Sequence, residues 1–332
     1  MKQHKHNYNH AHSKGLALVE LMIAMALGLV LIGAATGIMM SNTQTFKASK
    51  NTSQVQDSAR LAFELMARDI RQAGSIPCGN SVFVENLLPE STGGFPWYLN
   101  WDGKPKQRLG QNQTTKTNAK GQLIGYAATF SLKDIDNKIK NTESITLTYA
   151  SNEGSSLKNF KPSGSIYTFN LPNDNFKSGD IAFICNTEFA RIFSIEVSGG
   201  GADDMSITAA EGNTASKIGS FFKKNAAIGK LKSRAWYIGE NIEGKRSLYL
   251  AELQGSKVQS IEIAPGVNNL KLLYRADKSP DFKPAKDIES ADLWPKVNAV
   301  QITLDMLDQS QPNNGERFER SFTSIVAVRN AR

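Results

Sequence analysis

Histidine is missing from this 332-residue chain after position 12. The four present, His4, His6, His10 and His12, all sit in a polar, basic N-terminus. Everything beyond them therefore lacks a histidine general base, a histidine zinc ligand and a Ser-His or Cys-His nucleophile pair. Cysteine is almost as scarce: Cys78 and Cys185 are the only two, and no CxxC occurs. There is no P-loop, no GxGxxG and no GxSxG. Asp134-Ile135-Asp136-Asn137 hints at a calcium loop but lacks the glycine and the distal glutamate of an EF-hand. Asp203-Asp204 and Asn173-Asp174-Asn175 have the composition of turns. The H-x-H…H-x-H spacing could hold a metal in principle, although a flexible soluble leader accounts for it more simply. These absences predict no enzyme, no catalytic residue, no bound metal and no cofactor.

Proline and glycine are absent from Ser41 to Ala73, so nothing there breaks a helix. Acid is absent from the first 19 residues. The net charge is +8, and removing residues 1–15 would take away Lys2, Lys5 and Lys14 and no acid, leaving +5. That balance permits weak attraction to DNA or an anionic surface without predicting either, so nucleic acid stays open as a partner.

What the chain does have is a long apolar run. From Leu16 to Met40 it carries one charge, Glu20, and no proline. At about 1.5 Å per residue, a helix of that length spans the ~30 Å hydrocarbon layer of a bilayer and satisfies its own backbone hydrogen bonds there. An h-region of a secretory signal is usually about 7–15 residues, shorter than this run. The basic N-terminus predicts a cytoplasmic start and an outward C-terminus. Glu20 is the anomaly, because a carboxylate inside a span costs about 2.5–3.5 kcal/mol on insertion scales. A plain anchor has no use for it. Gly15 ends the basic segment, and a protease that binds its substrate extended could cut there. The cut would leave Leu16 as a new N-terminus, with Glu20 at position five. The amine and the carboxylate would lie one helical turn apart, placed to pair within a chain or between staggered neighbours.

The stretch G-L-A-L-V-E resembles the class III signal of type IV prepilins. That resemblance implies cleavage by prepilin peptidase between Gly15 and Leu16, N-methylation of Leu16, and a subunit-assembly role for Glu20 opposite a neighbour's amine. Leu16 stands where that family most often has phenylalanine. Within the span, Gly33 and Gly37 form GxxxG and are candidates for close helix packing. Beyond it, Val55, Ala59, Ala62, Met66, Ile70 and Ala73 recur at steps of three and four with Phe63 beside them, which predicts that the same helix continues with one apolar stripe and ends at Gly74 and Pro77. Arg68, Asp69 and Arg71 read as its solvated face.

Ala67–Cys78, A-R-D-I-R-Q-A-G-S-I-P-C, resembles the PilW-type minor pilins. So do Gly179–Asn186, Gly266–Tyr274 and Phe322–Asn330. The resemblance places the exterior in an oxidising compartment and supports a Cys78–Cys185 disulfide, with two free buried thiols as the alternative. Residues 79–125 are irregular, with Trp97, Tyr98 and Trp101 placed either to pin the loop or to bind a partner. Strand patterns follow at Glu143–Ala150, Ser165–Leu171, Asp180–Asn186, Phe189–Ser198, Arg234–Glu240, Ser247–Leu253, Val258–Ala264, Leu270–Arg275, Val297–Leu307 and Phe318–Val328, with Asn241–Gly244 as a hairpin turn. Lys223, Lys224, Lys230 and Lys232 form a small basic cluster, either a solvated face or a contact for DNA or an acidic partner.

The expected fold is α+β: a long N-terminal helix, membrane-spanning and then amphipathic, packed on an antiparallel β-rich domain. Its expected parts are a cleaved leader (1–15), a transmembrane and assembly helix (16–40), an amphipathic extension (41–74) and the β-rich domain (75–332). The resemblance implies a minor pilin that waits in the inner membrane with its C-terminal domain in the periplasm, then primes a pilus and ends near its tip. That role serves twitching motility, adhesion or DNA uptake. The implied partners are prepilin peptidase, the other minor pilins and the major pilin, the inner-membrane assembly platform and a tip adhesin. A pseudopilin of a type II secretion system shares the same signal. A membrane-anchored adhesin or envelope protein that never polymerises is the reading from another class.

Overall fold

A computed structural model describes residues 16–79, 83–89, 96–99, 101, 123–127, 132, 134–151, 155–161, 166–170, 175–201, 203–213, 218, 222–223, 226–255, 257–276, 278–307 and 319–329. The leader, and most of the stretch expected to be irregular, lie outside them. The chain divides into two units, residues 1–54 and 55–332. One helix, α1 (Leu16–Gln72), runs through the boundary for 57 residues without a break.

In the first unit, α1 is exposed along nearly all of its described length, with Gly28, Asn51 and Thr52 half-buried. In the second, its apolar stripe is buried: Val55, Ala59, Ala62, Met66, Ile70 and Ala73 are each at most 8% exposed. The helix stops where Gly74 turns left-handed at φ 71°. The chain is then stitched to a strand, because the Gly74 amide donates to the Thr148 carbonyl at 2.9 Å and the Ala150 amide donates to Ser75 at 2.9 Å.

The strands, in chain order, are β1 (Phe83–Asn86), β2 (Leu123–Tyr126), β3 (Ser144–Ala150), β4 (Ser155–Lys161), β5 (Ile166–Phe169), β6 (Ile181–Cys185), β7 (Phe189–Gly200), β8 (Met205–Ala209), β9 (Ala227–Glu240), β10 (Arg246–Gln254), β11 (Lys257–Pro265), β12 (Val267–Ala276), β13 (Lys283–Pro284), β14 (Val297–Leu307) and β15 (Glu319–Ala327). A six-residue helix, α2 (Ala285–Ser290), precedes β14. β1 to β11 form one sheet, and β13-β12-β14-β15 form a second. β9 is the hub of the first sheet and pairs with β3, β4, β6 and β10. The hairpin from β9 to β10 closes at Asn241, whose Oδ1 accepts from the amides of Glu243 and Lys245 at 3.0 and 2.9 Å.

Three findings depart from expectation. The β1–β7 pair is parallel, whereas all others are antiparallel. β9 starts seven residues before the expected Arg234, because its first half is held from both sides by β4 and β6 rather than marked by alternation. β1, β2, β4, β8, β13 and α2 carry no strong periodic signal. β4, for example, reads S-S-L-K-N-F-K and owes its conformation to neighbours.

The main core lies between α1 and both sheets. It combines the helix stripe with Ile145, Leu147, Trp236 and Leu250 of the first sheet and with Leu272, Tyr274, Ile302 and Leu304 of the second. Burying such side chains contributes about 1.5–3 kcal/mol each. A separate cluster surrounds Cys78 and Cys185, which are joined by a disulfide with Cα atoms 5.9 Å apart and lie 107 positions apart in sequence. Trp101, 1% exposed, packs on Phe183 in that cluster, so its side chain is part of the core. The bridge ties the segment after α1 to β6.

Opening that bridge frees a long loop in the unfolded chain. The full-length Cys185→Ser chain in detergent should unfold with a stability lower by about 2–5 kcal/mol in guanidinium titration. An unchanged midpoint would show that the bridge contributes nothing.

Candidate functional site

The first half of α1 presents a surface that water does not tolerate. Leu18, Met22, Met25, Leu29, Leu31, Ile32, Met39 and other large apolar side chains are 53–71% exposed. Contiguous apolar patches above a few hundred Å² mark interaction or membrane surfaces. The mean hydropathy of the best window is 2.4 and none of it is buried. Among the described residues this is the one helix long and apolar enough to cross a membrane. Gly33 and Gly37 lie four residues apart, and a Cβ added at either meets nothing within 4 Å, so the helix is smooth on that side. The Thr36 hydroxyl donates to the Ile32 carbonyl and hides its polarity within the helix.

Glu20 is exposed in this stretch, one turn along the backbone from Leu16. Gly15 lies outside the described residues. The structure therefore gives the helical spacing of Leu16 and Glu20 and no further geometry for the cleavage or methylation positions. A carboxylate and an α-amine at that spacing on an apolar surface would attract strongly, because little water screens them.

The second half of α1 is anchored by a charge cluster that sequence reasoning missed. Arg68 and Arg71 are exposed, as expected, but Asp69 is fully buried. Arg234 Nη1 donates to Asp69 Oδ1 at 2.6 Å, and Trp236 Nε1 donates to Oδ2 at 3.0 Å. Arg234 Nη2 donates to Glu252 at 3.3 Å, and the guanidinium lies over the Tyr149 ring at 5.9 Å. Desolvation pushes the Asp69 carboxyl above its ordinary range, while Arg234 and the two hydrogen bonds pull it back. Arg234 loses hydration on burial, yet the carboxylates around it hold its pKa above the usual value. One signal could have exposed the misreading: Asp69 lies three residues past Met66 and four before Ala73, on the edge of the apolar stripe.

The other sequence candidates disperse. Lys230 pairs with Asp180 at 3.1 Å and covers the Phe176 ring, and Lys232 pairs with Glu252 at 3.6 Å. Lys224 lies outside the described residues. Asp134 accepts from the Tyr98 hydroxyl at 2.8 Å, and the Asn137 side-chain Oδ1 accepts from the Tyr237 hydroxyl at 2.8 Å. Burial is the main cause that pushes both of these phenols up to about 12. Among the described residues, no group of three or more His, Cys, Asp or Glu is placed to hold a metal.

Removing Asp69 leaves the buried Trp236 Nε1–H without its acceptor and Arg234 with Glu252 alone, and breaking a buried pair in this way costs about 3–5 kcal/mol. Asp69→Ala should lower the stability of the full-length chain by that order in denaturant titration. A loss below about 1 kcal/mol would show that Arg234 finds water instead.

Residues 10–36 match the prokaryotic N-terminal methylation motif. Neither the curated proteins nor the solved structures contain a match. Carried on a helix apolar enough to cross a membrane, ahead of a β-rich domain, the motif supports a membrane-anchored, single-pass type IV pilin or pseudopilin, processed by prepilin peptidase and assembled with other pilins.

Proposed function

We propose that this chain is a minor pilin of a type IV pilus, of the PilW type. The observation that carries the reading is the methylation motif at residues 10–36, seated on a helix whose exposed apolar half has no use in water. Its resemblance to PilW-type chains at Ala67–Cys78, Gly179–Asn186, Gly266–Tyr274 and Phe322–Asn330 selects the branch. Prepilin peptidase cuts after Gly15, and Leu16 becomes the methylated N-terminus. The protein waits in the inner membrane with its leader side cytoplasmic and its β-rich domain periplasmic. It then joins other minor pilins on the assembly platform, primes the filament, and remains near the tip beside the major pilin and a tip adhesin. Twitching motility, adhesion and DNA uptake depend on that filament.

The chemistry is association, not catalysis. Helix–helix contact in lipid gains little from hydrophobicity, since acyl chains are as apolar as leucine. Glu20 supplies the directional term by meeting a neighbour's N-terminal amine. The smooth Gly33 and Gly37 positions admit a close helix.

Mass spectrometry of the protein isolated from cells tests this reading. The expected N-terminus is Leu16 carrying one methyl group, and an intact Met1 or Lys2 would overturn the assignment. Glu20→Ala should still insert in the membrane while its recovery in sheared pili falls at least tenfold. Normal piliation with full incorporation would remove Glu20 from assembly. A strain lacking the protein that keeps its pili but loses type II secretion would assign the chain to a pseudopilin instead.

A further inference from the structure

The segment that follows the apolar run has an arrangement that assembly does not explain. Leu21–Met40 is a run of twenty residues without a charge, about 30 Å of helix, which equals the hydrocarbon thickness. Set at that depth, α1 leaves Glu20 at one boundary and Met40 at the other. The next charges along the helix are Lys47 and Lys50, and no acid occurs from Leu21 to Gln54. Both lysines are exposed, and neither makes an ion pair among the described residues. Between Ser41 and Gln54 the single large apolar side chain is Phe46, 70% exposed among Ser, Thr, Asn, Gln, Ala and Lys.

A shallow groove runs along this part of the helix, lined by Ala35, Ile38, Met39, Asn42, Thr43 and Phe46. Its lower end is apolar, its middle carries Asn42 and Thr43, and Phe46 closes its upper end. Lys47 lies four residues past Thr43 and Lys50 four past Phe46, so both stand above the groove on its own side. Helical side chains lean toward the N-terminus, which carries both ammonium groups back toward the bilayer. The Thr43 hydroxyl already donates to the Met39 carbonyl at 2.7 Å, so it brings no unmet donor to the acyl boundary.

We propose that Phe46, Lys47 and Lys50 form a headgroup belt that binds the phosphates of anionic phospholipids and fixes the depth of α1 in the bilayer. An acyl chain lies against Ala35, Ile38 and Met39, the ester region meets Asn42 and Thr43, and the phosphate sits beneath the lysines. A second copy of this chain at equal height is a poor occupant, since it offers the same two cations. The depth so fixed keeps Glu20 at the opposite boundary, within reach of an incoming amine, and release from the belt is a step that precedes departure from the membrane. The proposal rests on α1 spanning the bilayer.

Full-length protein reconstituted in phosphatidylcholine vesicles containing spin-labelled phosphatidylglycerol or spin-labelled phosphatidylcholine tests it. Carbonate extraction is run alongside to score insertion independently. The native chain should prefer phosphatidylglycerol, and Lys47→Gln/Lys50→Gln should lose about fivefold of that preference for each lysine at low salt, with insertion unchanged. Lys47→Arg/Lys50→Arg should keep the preference. An equal preference in the native and glutamine chains overturns the proposal. So does a glutamine chain that keeps its lipid preference yet fails to assemble, because the lysines would then meet an acidic protein. Failure of carbonate-resistant insertion would count against the span itself and not against the belt.

Discussion

A helix cannot change its pitch partway along, and the architecture of this protein follows from that constraint. Residues 16–72 form one unbroken helix, so the same backbone must serve two solvents. In its first half apolar side chains point in every direction, the pattern that suits a helix surrounded on all sides by apolar partners. In its second half only one stripe is apolar, because only one side meets a protein core. The polar stretch between them, Ser41–Gln54, has no described core contact and depends on intrahelical bonding, such as the Thr43 and Thr45 hydroxyls donating to the carbonyls of Met39 and Ser41. The β-rich domain needs the helix as much as the helix needs the domain. Without Val55, Ala59, Ala62, Met66 and Ile70, the main core would lose the layer that both sheets cover.

Buried charge sets the register of that contact. The apolar stripe alternates alanines with Val55, Met66 and Ile70, and apolar contact, being non-directional, tolerates some sliding and rotation. Asp69 does not: its two oxygens are held by donors from one strand, Arg234 and Trp236, which lie two residues apart on the same side of β9. Moving the helix by one turn would strand a carboxylate and a guanidinium in the core, at several kcal/mol each. Gly74 and Ser75 reinforce the register by pairing with β3 directly after the helix ends, and the Cys78–Cys185 bridge ties the next turn of chain to β6. Three different chemistries thus hold ten residues of sequence, and none of them relies on the apolar stripe.

Much of this was legible in the residues, and the remainder fails for identifiable reasons. The helix was readable because lipid and core each impose a simple pattern, and β14 coincides with its alternating run, Val297–Leu307, because that strand is held on both edges. β1, β2 and β4 were not readable, since four to seven residues of mixed polarity take their conformation from distant partners. Asp69 was misread because an acid between two arginines looks solvated, and only the placement of Arg234, 165 residues away, reveals the pair. The lysines at 230 and 232 were grouped by sequence, but the fold gives each its own acid. Proximity along the chain is a poor guide to proximity of charge in a β-rich domain, whereas along a helix it is a good one.

Two carboxylates on α1, Asp69 and Glu20, face problems that differ in kind. Asp69 meets its cation when the domain folds, so its cost is settled once and contributes to a fixed geometry. In the proposed assembly, Glu20 waits at the membrane boundary with only its own chain's N-terminal amine one turn away, and a neighbour's amine reaches it only when the subunits stack. Because acyl chains and neighbouring helices are almost equally apolar, moving the span from one to the other changes the hydrophobic free energy little. A carboxylate that can exchange its partner for a neighbour's amine therefore supplies a directional preference that added leucines would not, and it supplies it only for a neighbour that brings an amine to the right height. Glu20 thus biases α1 toward a partner of one chemistry and one stagger, in the same way that Asp69 biases it toward one seat on the sheet.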